Sequence, residues 1–135
     1  MGLRRSRVIA DLLADLDVRP GTSHRAIALR VCQVMRDRLG APLEVRFVPM
    51  ADTRLSGVTT ALADGSYLVV CADSPRWYHR LHVLVHELAH VVLGHDWISF
   101  SRSGFTDPQE REAEEFADAV LAELLGPEHS REPGW

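Results

Sequence analysis

A helix that is apolar on almost every side constrains this chain most, because such a helix must lie inside the fold. Two histidines and a glutamate interrupt it, at His86, Glu87 and His90. Burying three polar groups of this kind costs free energy unless a partner satisfies them. The segment therefore predicts a buried helix with a polar site within it. The aliphatic side chains that occupy its other sectors are Val83, Leu84, Val85, Leu88, Val91, Val92 and Leu93.

The polar residues of this helix form the sequence HExxH, from His86 to His90. Residues four apart on a helix differ by about 40° around its axis, so both imidazoles can reach one metal ion. Glu87 points elsewhere and can act on a water that the metal activates. We therefore predict a zinc (Zn2+) site with His86 and His90 as ligands and Glu87 as the catalytic base. Histidines satisfied within an ordinary core are the competing interpretation.

The third ligand is expected to be a carboxylate on the last helix. A third histidine would require glycine at position 93 and histidine at position 96, where the chain has Leu93 and Asp96. His95 is instead expected to serve as a cap or a supporting group at the helix end. The last helix offers several acids, namely Glu110, Glu112, Glu114, Glu115 and Asp118.

A helical wheel narrows this choice without settling it. Glu115 lies nearly opposite the apolar stripe of the last helix and is excluded. Glu112 and Glu114 lie on the two edges of that stripe, whereas Glu110 lies nearer its middle but in the first turn. The group that stabilises a developing oxyanion also stays open. Its candidates are Tyr67, Tyr78, His79, His82 and His95.

Local signals place helices at both ends of the chain and strands between them. Aliphatic spacing predicts a helix over residues 7–17, and a second helix begins at Thr22 or Ser23 and ends at Gly40. Asp64-Gly65 forms a turn between two strand candidates. The remaining segments are strands over 43–48, 57–62 and 66–71, a helix over 74–93, a loop over 95–107, a helix over 107–125 and a flexible tail over 126–135. We expect an α+β fold in which a small antiparallel sheet of about three strands packs against helices.

Composition excludes several classes of function. The 135 residues carry a formal net charge of −4, so no direct nucleic-acid binding is expected, since that normally requires a basic footprint. No apolar run approaches the length of a membrane span, and the N-terminus lacks the apolar core of a signal peptide. Cys32 and Cys71 lie in apolar runs, which predicts reduced, buried thiols. A cytoplasmic protein is expected.

Two segments together resemble the ImmA/IrrE family of metallo-endopeptidases. These are VLVHELAHVVLGH and EREAEEFADAVLAELLGP, preceded by GSYLVVCADSP, and the resemblance covers residues 42–125. It implies a zinc site in which Glu112 is the third ligand, because Glu112 immediately precedes the alanine of the second motif. Glu114 stands where the family has Asn or Asp, so Glu114 could bind instead or support the site. The resemblance also implies a cytoplasmic enzyme whose protein substrate is often a helix-turn-helix transcriptional regulator.

The sequence thus predicts a single domain, residues 1–135, with N-terminal helices over 1–40 and a catalytic core over 42–125. The expected activity is that of a zinc-dependent metallo-endopeptidase. The alternative is a metal-binding interaction module, such as the toxin-like partner of a DNA-binding regulator, with little or no proteolysis. The intact Glu87 favours the enzyme. A purely structural zinc site is disfavoured, because such sites fill all four positions with Cys and His.

Overall fold

The computed structural model describes residues 2–19, 21–49, 57–94 and 107–125. Within these ranges the chain forms four helices and three strands, which confirms the expected α+β class. The predicted loop over 95–107, except for its last residue, and the tail over 126–135 lie outside the described residues, as does His95. The elements are α1 (Gly2–Leu16), α2 (His24–Leu39), β1 (Leu43–Val48), β2 (Gly57–Ala61), β3 (Tyr67–Ala72), α3 (Trp77–Val92) and α4 (Asp107–Leu125).

The three strands form one mixed sheet in the order β1-β3-β2. The predicted hairpin is present, since β2 pairs antiparallel with β3 and Thr59 lies opposite Val69. β1 pairs parallel with β3 on its other side, with Val45 opposite Val69. The expectation of a wholly antiparallel sheet is therefore wrong for this pair. Alternating side chains show that a strand is half-buried, but they carry no information about its direction or its neighbour.

α3 lies at the centre of the fold, packed against α2, α4, β2 and β3. Its residues Leu81, Leu84 and Ala89 have no exposed surface, and neither have Val69 and Cys71 on the facing strand. The prediction of a buried helix is confirmed for Val83, Leu84, Val85 and Leu88, whereas Val91, Val92 and Leu93 at its end are only half-buried. Burial on several sides fixes the rotation of α3 about its axis, so the directions of its polar side chains are fixed as well.

The boundaries of α2 follow the local signals. Ser23 is the N-cap, and its hydroxyl oxygen accepts a hydrogen bond from the backbone N–H of Ala26 at 3.1 Å. Gly40 ends the helix in the left-handed conformation, with φ of 60°, and its N–H donates to the carbonyl of Arg36. α3 begins at Trp77, slightly later than predicted, because the Ser74 hydroxyl accepts from the Arg76 N–H in a turn before the helix.

α1 packs against both α2 and α4. The guanidinium of Arg30 donates to the carbonyl oxygens of Leu16 and Asp15 at the end of α1. Leu12 and Leu16 of α1 are buried in the common core. Among the described helices, none combines the length and the apolar character needed to cross a membrane.

Candidate metal centre

Three histidines on α3 face three carboxylates on α4, and each contact is one helical turn from the next. Nε2 of His90 lies 2.7 Å from Oε1 of Glu110, in ion-pair contact although not aligned as a hydrogen bond. His86 contacts both Glu110 and Glu114. Higher α3 numbers meet lower α4 numbers, so the two helices run in opposite directions. We call this set the α3–α4 ladder; it comprises His82, His86, His90, Glu110, Glu114 and Asp118.

One end of the ladder has the composition of a zinc site. His86, His90 and Glu110 each offer a ligand atom, and these atoms all lie within 4.8 Å of one another. Two imidazole nitrogens and one carboxylate oxygen form a ligand set found in catalytic zinc sites, where a fourth position stays open. His90 is only 1% exposed and His86 13%, whereas Glu110 is 40% exposed, so the histidine side of the site is shielded from bulk water and the carboxylate side is open to it. The residues present therefore fit a zinc ion, and His86 and His90 come together as predicted.

Glu114 supports this set from the other side of one histidine. Oε2 of Glu114 lies 2.7 Å from Nδ1 of His86, while Nε2 of His86 faces Glu110 at 3.4 Å. An ionised carboxylate only accepts hydrogen bonds, so Nδ1 donates in this contact, and in the neutral ring Nε2 keeps its lone pair. Histidine ligands are commonly oriented in this way by a carboxylate on the second ring nitrogen. Glu114 thus holds His86 in the tautomer that a metal requires.

The structure does not bring Glu112 into either group of metal-binding side chains found among the described residues. Glu110 and Glu114 are four residues apart and share a face of α4, whereas Glu112 is about 200° from each. The Glu112 assignment, which comes from the resemblance, stays a prediction, while the described geometry favours Glu110. A sequence signal for this arrangement was present. The spacing of Glu110 and Glu114 matches the spacing of His86 and His90.

Glu87 is held by β2 rather than by α4. The hydroxyl of Thr59 donates a hydrogen bond of 2.7 Å to Oε1 of Glu87. Gly57 lies so close that a Cβ placed on it would be 2.8 Å from Cγ of Glu87. Glu87 itself is only 5% exposed. The expected base is therefore a buried carboxylate with a fixed orientation, adjacent in sequence to His86 but outside the set that contains Glu110.

Burial raises the pKa of the Glu87 carboxyl above its ordinary value. The hydrogen bond from Thr59 and the neighbouring His86 lower this pKa, whereas the charge of Glu110 raises it further. Desolvation has the largest effect, so the carboxylate accepts a proton more readily than a surface glutamate does. A dication bound nearby would favour the charged form and oppose this shift.

The residues considered for stabilising an oxyanion lie in different parts of the fold. His82 contacts Glu114 and Asp118 in the ladder. Burial lowers the pKa of His79, and His82 adds to this effect. Tyr78 makes an edge contact with His24, with ring centroids 5.7 Å apart. Tyr67 lines a cavity of about 550 Å³ formed largely by residues of β1 and by the segment 62–68.

Comparison with known proteins adds no assignment. No protein-family model matches the chain, and no curated protein matches it. The ladder, Glu87 and the two motifs are therefore the features that bear on function.

Proposed function

We propose that this chain is a zinc-dependent peptidase in which His86, His90 and Glu110 hold the metal. One observation carries the proposal. Two imidazole nitrogens and one carboxylate oxygen lie within 4.8 Å of one another. Glu87, which lies between the two histidines in the sequence, is a buried carboxylate that does not belong to this set. A core that only had to satisfy two histidines would have no use for an additional oriented acid at Glu87.

Each polar group at the site has a separate task in this proposal. Zinc held there would supply a Lewis acid that polarises a carbonyl group and lowers the pKa of water. Glu87 accepts the proton of the attacking water and passes it to the leaving amine. Thr59 holds the Glu87 carboxylate in one orientation through its hydroxyl. Glu114 keeps Nδ1 of His86 protonated and the ring fixed.

A protein substrate, and specifically a helix-turn-helix transcriptional regulator, is the proposed target. The support for this target is the resemblance of the two motifs to the ImmA/IrrE family. The same resemblance supports a cytoplasmic location.

The decisive experiment compares the wild type with Glu87→Gln. The substitution keeps size and removes the base, so metal content and melting temperature should change little. Cleavage of a candidate repressor, followed by gel and mass spectrometry at matched zinc content, should fall by about a hundredfold or more. Equal cleavage by the two proteins would remove Glu87 from the mechanism. His86→Ala with His90→Ala is the control that should lose both metal and activity.

A metal-binding interaction module is the second candidate, and the same burial favours it. With Glu87 only 5% exposed and His90 only 1% exposed, two of the polar groups at the site are closed off from solvent. This candidate predicts stoichiometric zinc and binding of a regulator by wild type and Glu87→Gln alike. It predicts no cut product from either. The cleavage assay combined with a pull-down therefore separates the two candidates.

A further inference from the structure

The α3–α4 ladder continues beyond the three residues assigned to zinc. His82 lies one turn before His86 on α3, and its Nε2 is 3.1 Å from Oε1 of Glu114 and 3.4 Å from Oδ1 of Asp118. The ligand atoms of these three residues also lie within 4.8 Å of one another. The ladder thus contains two adjacent sets, each with imidazole nitrogen and carboxylate oxygen.

We propose that His82, Glu114 and Asp118 form a second cation site, for a divalent transition metal such as zinc. The donor set selects this class of ion. An imidazole nitrogen suits zinc, copper or nickel, whereas calcium and magnesium prefer sites made of oxygen alone. Glu114 and Asp118 are four residues apart on α4, and His82 reaches them from α3, so three ligands from two packed helices converge on one point.

Glu114 can serve both sites at once, because each of its two carboxylate oxygens contacts a different histidine. Oε2 contacts Nδ1 of His86, and Oε1 contacts Nε2 of His82. A cation in the second site takes Oε1 and leaves the contact with His86 in place. The two sites are therefore compatible, and Glu114 is the group that couples them.

The second site is the weaker and more exchangeable one. Side-chain exposure is 24% for His82, 46% for Glu114 and 66% for Asp118, against 13% for His86, 1% for His90 and 40% for Glu110 in the first site. Water competes more effectively for exposed ligands than for buried ones. The second site should fill only after the first is occupied and should empty first during dialysis against a chelator.

Occupancy of the second site should alter the first through Glu114. A cation on Oε1 places a positive charge beside the same carboxylate that contacts Nδ1 of His86. This coupling rests on the proposed zinc site at His86, whereas binding at His82 and Asp118 does not. Metal excess would then regulate the protein through a site distinct from the one that performs the chemistry.

Cobalt and zinc titrations of the purified full chain, with visible absorption and calorimetry as readouts, test the proposal. Wild type should bind two equivalents, the second more weakly by a factor of ten or more. His82→Ala with Asp118→Asn should bind one equivalent with the first affinity within a fewfold of wild type. Glu123→Gln is the matched control, since it removes a carboxylate charge from α4 outside the ladder. That control should still bind two.

The variants distinguish failure of the second site from failure of the primary zinc site. Two equivalents in His82→Ala with Asp118→Asn would overturn the proposal, as would a single equivalent in wild type at a hundredfold metal excess. In either case His82 and the two acids form an ion-pair cluster only. His86→Ala with His90→Ala should lose the tight equivalent and keep the weak one. If this variant kept both equivalents, the primary zinc site would be refuted. The second site is decided by His82→Ala with Asp118→Asn alone. Circular dichroism confirms that each variant is folded.

Discussion

At the scale of single residues, the space around Glu87 explains why a glycine stands at position 57. A Cβ at Gly57 would lie 2.8 Å from Cγ of Glu87 and 3.1 Å from both Cδ and Oε2. Glu87 cannot easily move aside, because Thr59 fixes its other carboxylate oxygen. Strand and helix therefore approach each other at the one position that has no side chain.

Gly57→Ala should destabilise the protein by about 1–3 kcal/mol, the usual cost of forcing an extra methyl group into a packed site. Urea denaturation measures this loss. The matched test repeats the substitution in a Glu87→Ala background, where the clash has been removed. There the alanine should cost little, so the double-mutant cycle isolates the contact. An equal cost in both backgrounds would mean that the clash is not with Glu87.

Three glutamates on α4 can be ranked by their effect on zinc affinity. Glu110→Gln should produce the largest loss, because it removes a proposed ligand. Glu114→Gln should weaken binding about 10- to 100-fold, as is usual for a group that orients a histidine ligand. Glu112→Gln should have little effect. Competition against a chromogenic chelator measures all three. A large loss confined to Glu112→Gln would instead support the assignment from the resemblance.

At the scale of elements, helix ends are encoded locally and sheet topology is not. Ser23 and Gly40 bound α2 as predicted, since a cap needs only its own turn of chain. The hairpin of β2 and β3 follows from the turn at Asp64-Gly65. The parallel pairing of β1 depends on which side of β3 remains free, which is a property of the assembled sheet.

In the candidate site, too, the features set by one helix could be predicted from the sequence, and those set by the packing of distant segments could not. His86 and His90 were predicted because their spacing within one helix is sufficient to bring them together. The choice of Glu110 depends on how α4 is rotated against α3, and the apolar stripe of α4 alone does not determine that rotation. Thr59 reaches Glu87 from 28 residues away in the sequence. No periodicity connects those two positions, so Thr59 and Gly57 were found only in the fold.

The cap of α2 gives a prediction for this element. Ser23→Ala removes the acceptor of the Ala26 N–H, and the loss should be about 1 kcal/mol of folding free energy. Ser23→Asp, which keeps an acceptor at the N-terminus of the helix, should restore most of it. Thermal and chemical denaturation of the three proteins at equal zinc content provide the comparison. A wild-type stability for Ser23→Ala would mean that the hydrogen bond contributes nothing.

At the scale of the whole molecule, the two thiols report on the integrity of the core. Cys71 has no exposed surface, and burial, with smaller contributions from Glu87 and Cys32, raises its pKa to about 12. Burial also raises the pKa of Cys32. The thiolate is the reactive form, so at pH 8 both side chains are protonated as well as shielded. Neither should react until the core opens.

Alkylation at pH 8, followed by mass spectrometry, should therefore label neither cysteine in the folded protein within minutes and both in guanidinium. The labelling rate should follow the population of unfolded chains across a denaturant series. Rapid modification of Cys71 under native conditions would show that β3 separates from α3 without global unfolding.

The packing of α1 on α4 connects the N-terminal helix to the proposed metal site. The motifs that resemble a known family begin only at residue 42, yet α4, which carries Glu110, also rests on α1. Leu12 and Leu16 are part of the same core as Phe116 and Val120. Substitutions in α1 should therefore change the metal affinity of the proposed site, although α1 supplies none of the proposed ligands. A recombinant fragment trimmed to the recognisable motifs would retain every proposed ligand but lose part of the support that aligns them.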